Sequence, residues 1–345
     1  MEKTNKIRLA ITQGDINGVG YEVILKTFGD IRMFDFCTPV VYGSTKVASY
    51  HKKLLVSMPQ EMTFTSVRDA SEAQDGKFNF INLTQEEIKI DLGRSTEVAG
   101  RLSRESLSRA CEDLKAGKVD VLVTAPINKR NIQAADFDFP GHTEYLSHQF
   151  GSSSLLMMVC DRIRIGIVTN HFALKDVPGA LTHDLLFEKM MIMNESLKRD
   201  FGITRPKIAV LALDPHAGDD GIIGDFDKTV IRPVIDEVQQ KGVLAYGPFP
   251  SDGFFGSSEF NNFDGVLALY HDQGLIPFKL MSFTEGVNYT AGLPYVRTSP
   301  AHGTGYDIAG KDRASEQSFR SAVYLACTIL RNRQEYDELN ADPLK

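Results

Sequence analysis

The chain has 345 residues, 42% hydrophobic and 24% charged, with a formal net charge of −7. That size suits one large or two medium soluble domains, and the acidic balance argues against a nucleic-acid surface while leaving room for a local basic pocket. The cysteines Cys37, Cys111, Cys160 and Cys327 form no Cys-x-x-Cys pair and read as small buried residues, no apolar run is long enough to span a membrane, and the amino terminus lacks a signal-peptide core, so the expected location is the cytoplasm.

Strand-like and helix-like runs alternate along the chain, which predicts an α/β fold with mainly parallel sheets. Ile7–Ile11 reads as a first strand, followed by the glycine loop Gly14–Gly20 and a helix over Tyr21–Phe28. A strand at Pro39–Tyr42 and a helix near Thr45–Leu55 come next. Thr96–Gly117 has the clearest helical periodicity, with Val98, Leu102, Leu107, Ala110 and Leu114 close to one face. Val119–Val123 reads as a buried strand, Leu155–Cys160 and Ile163–Val168 as an antiparallel hairpin, and Leu185–Lys198, Lys228–Lys241 and Ser315–Arg333 as helices. The irregular stretch 125–140 is the best place for a boundary. The expected architecture is two α/β/α domains with an active-site cleft between them, one from residues 1–130 plus about 290–345 and the other from 131–289.

Three of the eight histidines, His171, His216 and His271, each end an apolar strand-like run. Ligands of open α/β sheets bind at the carboxyl ends of strands, so three imidazoles delivered there could converge on one divalent metal. Each could equally cap a buried strand. In Tyr270-His-Asp-Gln-Gly274, Asp272 follows the histidine directly, and Lys279 lies about two helical turns on. Pro140-Gly-His-Thr-Glu144 opens a short helix whose free N–H groups, with His142 and Thr143, suit an anion; a simple cap by Thr143 would use the same residues. Asn288 and Arg297 sit in flanking loops, and the guanidinium can clamp a phosphate or carboxylate. The glycines of Ala301-His-Gly-Thr-Gly-Tyr-Asp-Ile-Ala-Gly-Lys311 would let a ring or pyrophosphate lie against the backbone. No Gly-x-Gly-x-x-Gly follows the first strand, so a dinucleotide must be held some other way.

These segments together resemble the 4-hydroxythreonine-4-phosphate dehydrogenases of pyridoxal 5′-phosphate synthesis. The likeness runs from Ile11-Thr-Gln-Gly-Asp-Ile-Asn-Gly-Val-Gly20 to Lys311, through Thr124-Ala-Pro-Ile-Asn-Lys129, Gly141-His-Thr-Glu144, Asp214-Pro-His-Ala-Gly218, Gly247-Pro-Phe-Pro-Ser-Asp252, Tyr270-His-Asp-Gln-Gly274 and His302-Gly-Thr304. Asp307-Ile-Ala-Gly-Lys311 also resembles the cofactor loop of isopropylmalate and isocitrate dehydrogenases, implying that His302, Gly303, Thr304, Asp307 and Gly310 hold NAD or NADP. The resemblance further implies a divalent metal (zinc, magnesium, cobalt or manganese) on His171, His216 and His271, and substrate contacts from His142, Thr143, Lys279, Asn288 and Arg297. It also implies a homodimer with a shared active site, with neither nucleic acid nor membrane as a partner. The implied reaction oxidises 4-phosphooxy-L-threonine at C3 to a β-keto acid that loses CO₂, with Asp252, Asp272 or Lys279 as candidate base. The family's opening loop usually reads Gly-Glu-Pro-Ala-Gly-Ile-Gly-Pro-Glu, whereas this one is Gly14-Asp-Ile-Asn-Gly-Val-Gly-Tyr-Glu22. A sibling dehydrogenase of D-threonate or D-erythronate 4-phosphate would use the same apparatus, and a metal-dependent hydrolase without nicotinamide is the more distant alternative.

Overall fold

A computed structural model describes residues 6–58, 61–133 and 137–341. The expected irregular stretch 133–140 and the extreme amino terminus therefore lie partly outside the described residues. The chain forms two compact units, Met1–Gln149 with Tyr295–Leu330 and Phe150–Pro294 with Arg331–Lys345. The first unit thus extends past residue 130 to take in all but the last residue of the helix His142–Phe150. The terminal helix Gln317–Ala341 gives its first half to one unit and its second half to the other.

The first unit contains β1 (Ile7–Thr12), β2 (Cys37–Gly43), β3 (Thr65–Val67), β4 (Asn79–Asn82), β5 (Val121–Thr124) and β12 (Val296–Pro300). They lie in the order β3-β4-β2-β1-β5-β12, and every neighbouring pair is parallel. Strands β1, β2, β5 and β12 are almost wholly buried, which is why they read as continuous apolar runs rather than alternating ones. The helix Glu97–Lys115 packs on β1, β2 and β5 through Leu102, Leu107, Ala110 and Leu114. Val98, expected on that face, is 42% exposed because it lies in the first turn, before the helix reaches the sheet.

Strand order reverses direction between β1 and β5, and a crevice forms at such a switch point beyond the carboxyl ends. The loop after β1 is fixed there. His51, buried in the helix Thr45–Leu54 and stacked on Tyr21, donates from Nε2 to the Ile16 carbonyl at 2.8 Å. Burial pushes the His51 imidazole down to about 4, with the Ile16 bond opposing.

The second unit contains β6 (Leu155–Val159), β7 (Arg164–Thr169), β8 (Lys207–Leu211), β9 (Leu244–Phe249), β10 (Gly265–Tyr270) and β11 (Val287–Ala291). Its order is β11-β6-β7-β10-β8-β9. The expected hairpin is the antiparallel pair β6–β7, while β7, β10, β8 and β9 run parallel. Gly274, on the helix His271–Met281, lets that helix sit directly on the strands: an added Cβ would meet Ile167 Cδ1 at 2.4 Å. No disulfide joins cysteines among the described residues.

The second half of the terminal helix is held by a buried cluster. Arg333 Nε donates to Asp200 Oδ1 at 2.6 Å, Arg333 also donates to the Tyr289 hydroxyl, and Ser196 and Tyr289 both donate to Asp200 Oδ2. Removing one charge strands the other away from water. Arg333→Leu is therefore expected to cost about 3–5 kcal/mol in urea unfolding. Unchanged stability would mean that the cluster contributes nothing. His51 predicts an acid limb. Its depressed pKa makes its stabilising contribution full above the unfolded value near 6.5, and that contribution is lost as pH falls toward about 4. Unfolding free energies of His51→Gln should fall less steeply across that window than those of the parent, by up to one proton in slope.

Candidate active site

In the first unit, β12 carries Arg297 and β5 ends in Thr124, in neighbouring parallel strands with Arg297 opposite Leu122. Arg297 is only 2% exposed and donates to Thr124 Oγ1 at 2.7 Å. Burial pushes its guanidinium down to about 10, with Glu144 the chief opposing charge. His142, the first residue of the helix His142–Phe150, lies in the field of Arg297 and Lys129. Burial, then those two cations, hold its imidazole well below the usual histidine range, so it is neutral, and its Nε2 is buried with no hydrogen-bond partner. Thr143 is buried next to it. The result is a guanidinium, an ammonium and a neutral imidazole around a helix start, set against the carboxylate of Glu144. Such a group favours an anion.

The loop 301–316 follows β12. His302 Nδ1 donates to the Gly303 carbonyl at 2.9 Å, and its Nε2 is buried without a partner. Burial lowers the His302 pKa, so the orphan nitrogen is an acceptor waiting for a donor. An added Cβ at Gly303 would meet nothing, which leaves open space above the backbone. Thr304 receives Val19 N–H on its carbonyl at 2.9 Å, while Asp307 is exposed and its carbonyl accepts from Lys311 Nζ. Gly310 adopts a left-handed conformation against Leu92.

In the second unit, the three runs ending in histidine are β7, β8 and β10, adjacent parallel strands in the order β7-β10-β8. Thr169 of β7 is in register with Tyr270 of β10, so His171 and His271 leave the sheet side by side with ring centroids 6.3 Å apart. His271 Nδ1 donates to Asp272 Oδ1 at 2.7 Å, so Nε2 is the nitrogen of this ring that could accept a ligand. His216 does not complete the set. Among the described residues no three His, Cys, Asp or Glu side chains gather closely enough to hold a metal. His216 sits in the turn after β8, where His216, Ala217, Asp219 and Asp220 all have φ between 45° and 55°, a left-handed run that costs non-glycine residues about 1–2 kcal/mol each.

The remaining expected residues are more dispersed. Asp252 is exposed at the start of the helix Ser251–Gly256, and Lys279 is exposed in the last turn of His271–Met281. Asn288 lies in β11, not in a loop, with its Oδ1 buried and unpartnered. Arg297 is likewise a strand residue.

Sequence reading missed three groups. Gln273 accepts from Leu269 N–H and donates to the Ala212 carbonyl and Ser251 Oγ, bracing β10 against the end of β8 and the start of the helix Ser251–Gly256. Thr124 and Lys129 join the anion cluster from a segment singled out only as a motif. Asp15 is buried at the crevice of the first unit.

With this geometry in hand, comparison with known proteins is decisive about family. The family model of the pyridoxal phosphate biosynthetic protein PdxA matches residues 35–326. A 4-hydroxythreonine-4-phosphate dehydrogenase of Bacteroides thetaiotaomicron is 50% identical over 343 residues, covering 99% of this chain and 93% of that protein. The crystal structure of the enzyme of that name from Klebsiella pneumoniae superposes with a TM-score of 0.81 at 31% identity, covering 96% of this chain and 99% of the other. That from Burkholderia phymatum gives 0.77 at 33% identity, over 94% and 99%. The chain therefore belongs to the PdxA family of pyridoxal phosphate biosynthetic proteins and is an oxidoreductase of that family.

Proposed function

We propose that the chain oxidises 4-phosphooxy-L-threonine at C3 to 2-amino-3-oxo-4-phosphooxybutanoate, which decarboxylates to 3-amino-2-oxopropyl phosphate. NAD or NADP would be the hydride acceptor, with one divalent metal. The buried Arg297, with neutral His142 and the exposed Lys129 close by, carries this reading, because a buried guanidinium at a helix start is suited to receive the oxygens of an anionic substrate.

Each group has a role derived from its surroundings. Arg297, Lys279 and Asn288 would grip the phosphorylated substrate, with His142 and Thr143 orienting it; such remote contacts align the reacting carbon. His171 and His271 would hold the metal, with His216 as third donor. When bound, the metal would supply Lewis acidity toward the C3 hydroxyl and the nicotinamide a hydride acceptor. Asp272 fixes the tautomer of His271, which leaves Asp252 or Lys279 to take the hydroxyl proton. His302, Gly303, Thr304, Asp307 and Gly310 would seat the nicotinamide cofactor, His302 Nε2 accepting from it.

One of these three histidines would come from a second copy of the chain. Ile276 and Leu280, one helical turn apart on the helix His271–Met281, and Phe283 just beyond its end are 59%, 84% and 80% exposed, as expected of a patch that another subunit covers.

Turnover should require the metal. Nicotinamide reduction by the metal-loaded protein with 4-phosphooxy-L-threonine should disappear with chelator and return on adding zinc, cobalt, manganese or magnesium. His271→Ala should lose it while keeping its melting temperature. Faster turnover of D-threonate 4-phosphate would transfer the assignment to the sibling activity, and phosphate release without nicotinamide reduction would favour a hydrolase. Leu280→Glu should shift sedimentation from dimer to monomer and abolish turnover; a fully active monomer would remove the shared-site reading.

A further inference from the structure

Three loops leave the carboxyl ends of the parallel strands β1, β5 and β12, and one buried carboxylate joins them. Asp15, in the loop after β1, is fully buried. Its Oδ2 accepts from Asn131 Nδ2 in the segment after β5 and from the Tyr306 hydroxyl in the loop after β12, both at 2.7 Å. Its Oδ1 accepts from Asn17 N–H at 2.9 Å. Burial, then Asp15 itself, raises the Tyr306 phenol, so it remains the donor.

Backbone contacts tighten the junction. Asp15 N–H donates to the Pro126 carbonyl and Val19 N–H to the Thr304 carbonyl, each at 2.9 Å. A Cβ on Gly18 would sit 2.5 Å from the Thr304 oxygen, so only glycine allows the approach. Asn17 adds a fourth segment. Its side chain donates to the Arg94 carbonyl and Thr96 Oγ1 and accepts from Asp91 N–H, while its carbonyl accepts from Gly93 N–H. The family's usual alanine at this place could make none of these side-chain bonds.

The segment after β5 carries Lys129 of the anion cluster, and the loop after β12 is the cofactor loop of the function proposed above, on which this inference rests. We infer that Tyr306, through its hydroxyl on Asp15, is a positioning residue that couples the two: filling the cofactor loop tightens the anion site, and the reverse. Asp15 Oδ2 serves both donors at once, so a shift of either segment changes the bond to the other. By linkage, the coupling is the same in both directions.

NADH is the probe, because it binds without being able to oxidise the substrate. Its fluorescence titration into the metal-loaded protein, with and without saturating 4-phosphooxy-L-threonine, gives the coupling factor directly. The parent should show at least about fivefold tighter NADH binding with substrate present, within the usual range for linked sites. Tyr306→Phe, which keeps the ring and loses only the hydroxyl, should bring that factor close to unity while changing NADH affinity alone much less. Asp15→Asn, of the same shape, should do likewise. A Tyr306→Phe factor equal to the parent's, or a uniform loss of affinity with the ratio intact, would overturn the proposal and leave a structural bond only. A parent with no coupling would overturn it as well. A parent that binds no NADH and turns over nothing would instead refute the dehydrogenase reading.

Discussion

A guanidinium that cannot shed its proton at physiological pH is buried on β12, and the first unit is organised around that cost. Thr124 offers one acceptor and Glu144 one opposing charge, both supplied by neighbouring elements. His142 answers the same field by remaining neutral. An anion with several oxygens would bring further acceptors to a group that water no longer reaches. The strand pairing is what makes this possible: β5 and β12 run parallel with Arg297 level with Leu122, within reach of Thr124 two residues on.

Parallel order does comparable work in the second unit, considered by itself. Strands β7, β10 and β8 end together, so histidines placed just beyond them in sequence emerge from neighbouring positions. Two of them meet. The third lies in a turn whose left-handed backbone is expensive for alanine and aspartate, a cost that turns at binding sites often bear. Gln273 and Gly274, immediately after the His271–Asp272 pair, hold the helix close to the strands and so fix the direction of the imidazole.

Much of this was legible in the amino-acid order. Long buried strands and the helices between them carry strong apolar periodicity, and all three histidine-ended runs are strands. Less was legible where pairing is local or distant. The short strands β3 and β4 have too few residues to show a period. Asn288 and Arg297 read as loop residues because a polar side chain in a five-residue strand breaks its apolar signature. Burial of Arg297 depends on Thr124, more than a hundred and fifty positions away, and the Asp15–Tyr306 bond spans almost the whole chain. The terminal helix runs on past Arg333 to Ala341 because Asp200 and Tyr289 give that arginine a buried partner, which helical spacing cannot reveal. His216 was legible as a histidine just beyond a strand, whereas the left-handed run of backbone that carries it was not.

The most direct test of the dehydrogenase assignment is product stoichiometry. Metal-loaded protein should convert 4-phosphooxy-L-threonine to equal amounts of reduced nicotinamide, CO₂ and 3-amino-2-oxopropyl phosphate, followed together by absorbance and mass spectrometry. Release of inorganic phosphate with no reduced nicotinamide would contradict it.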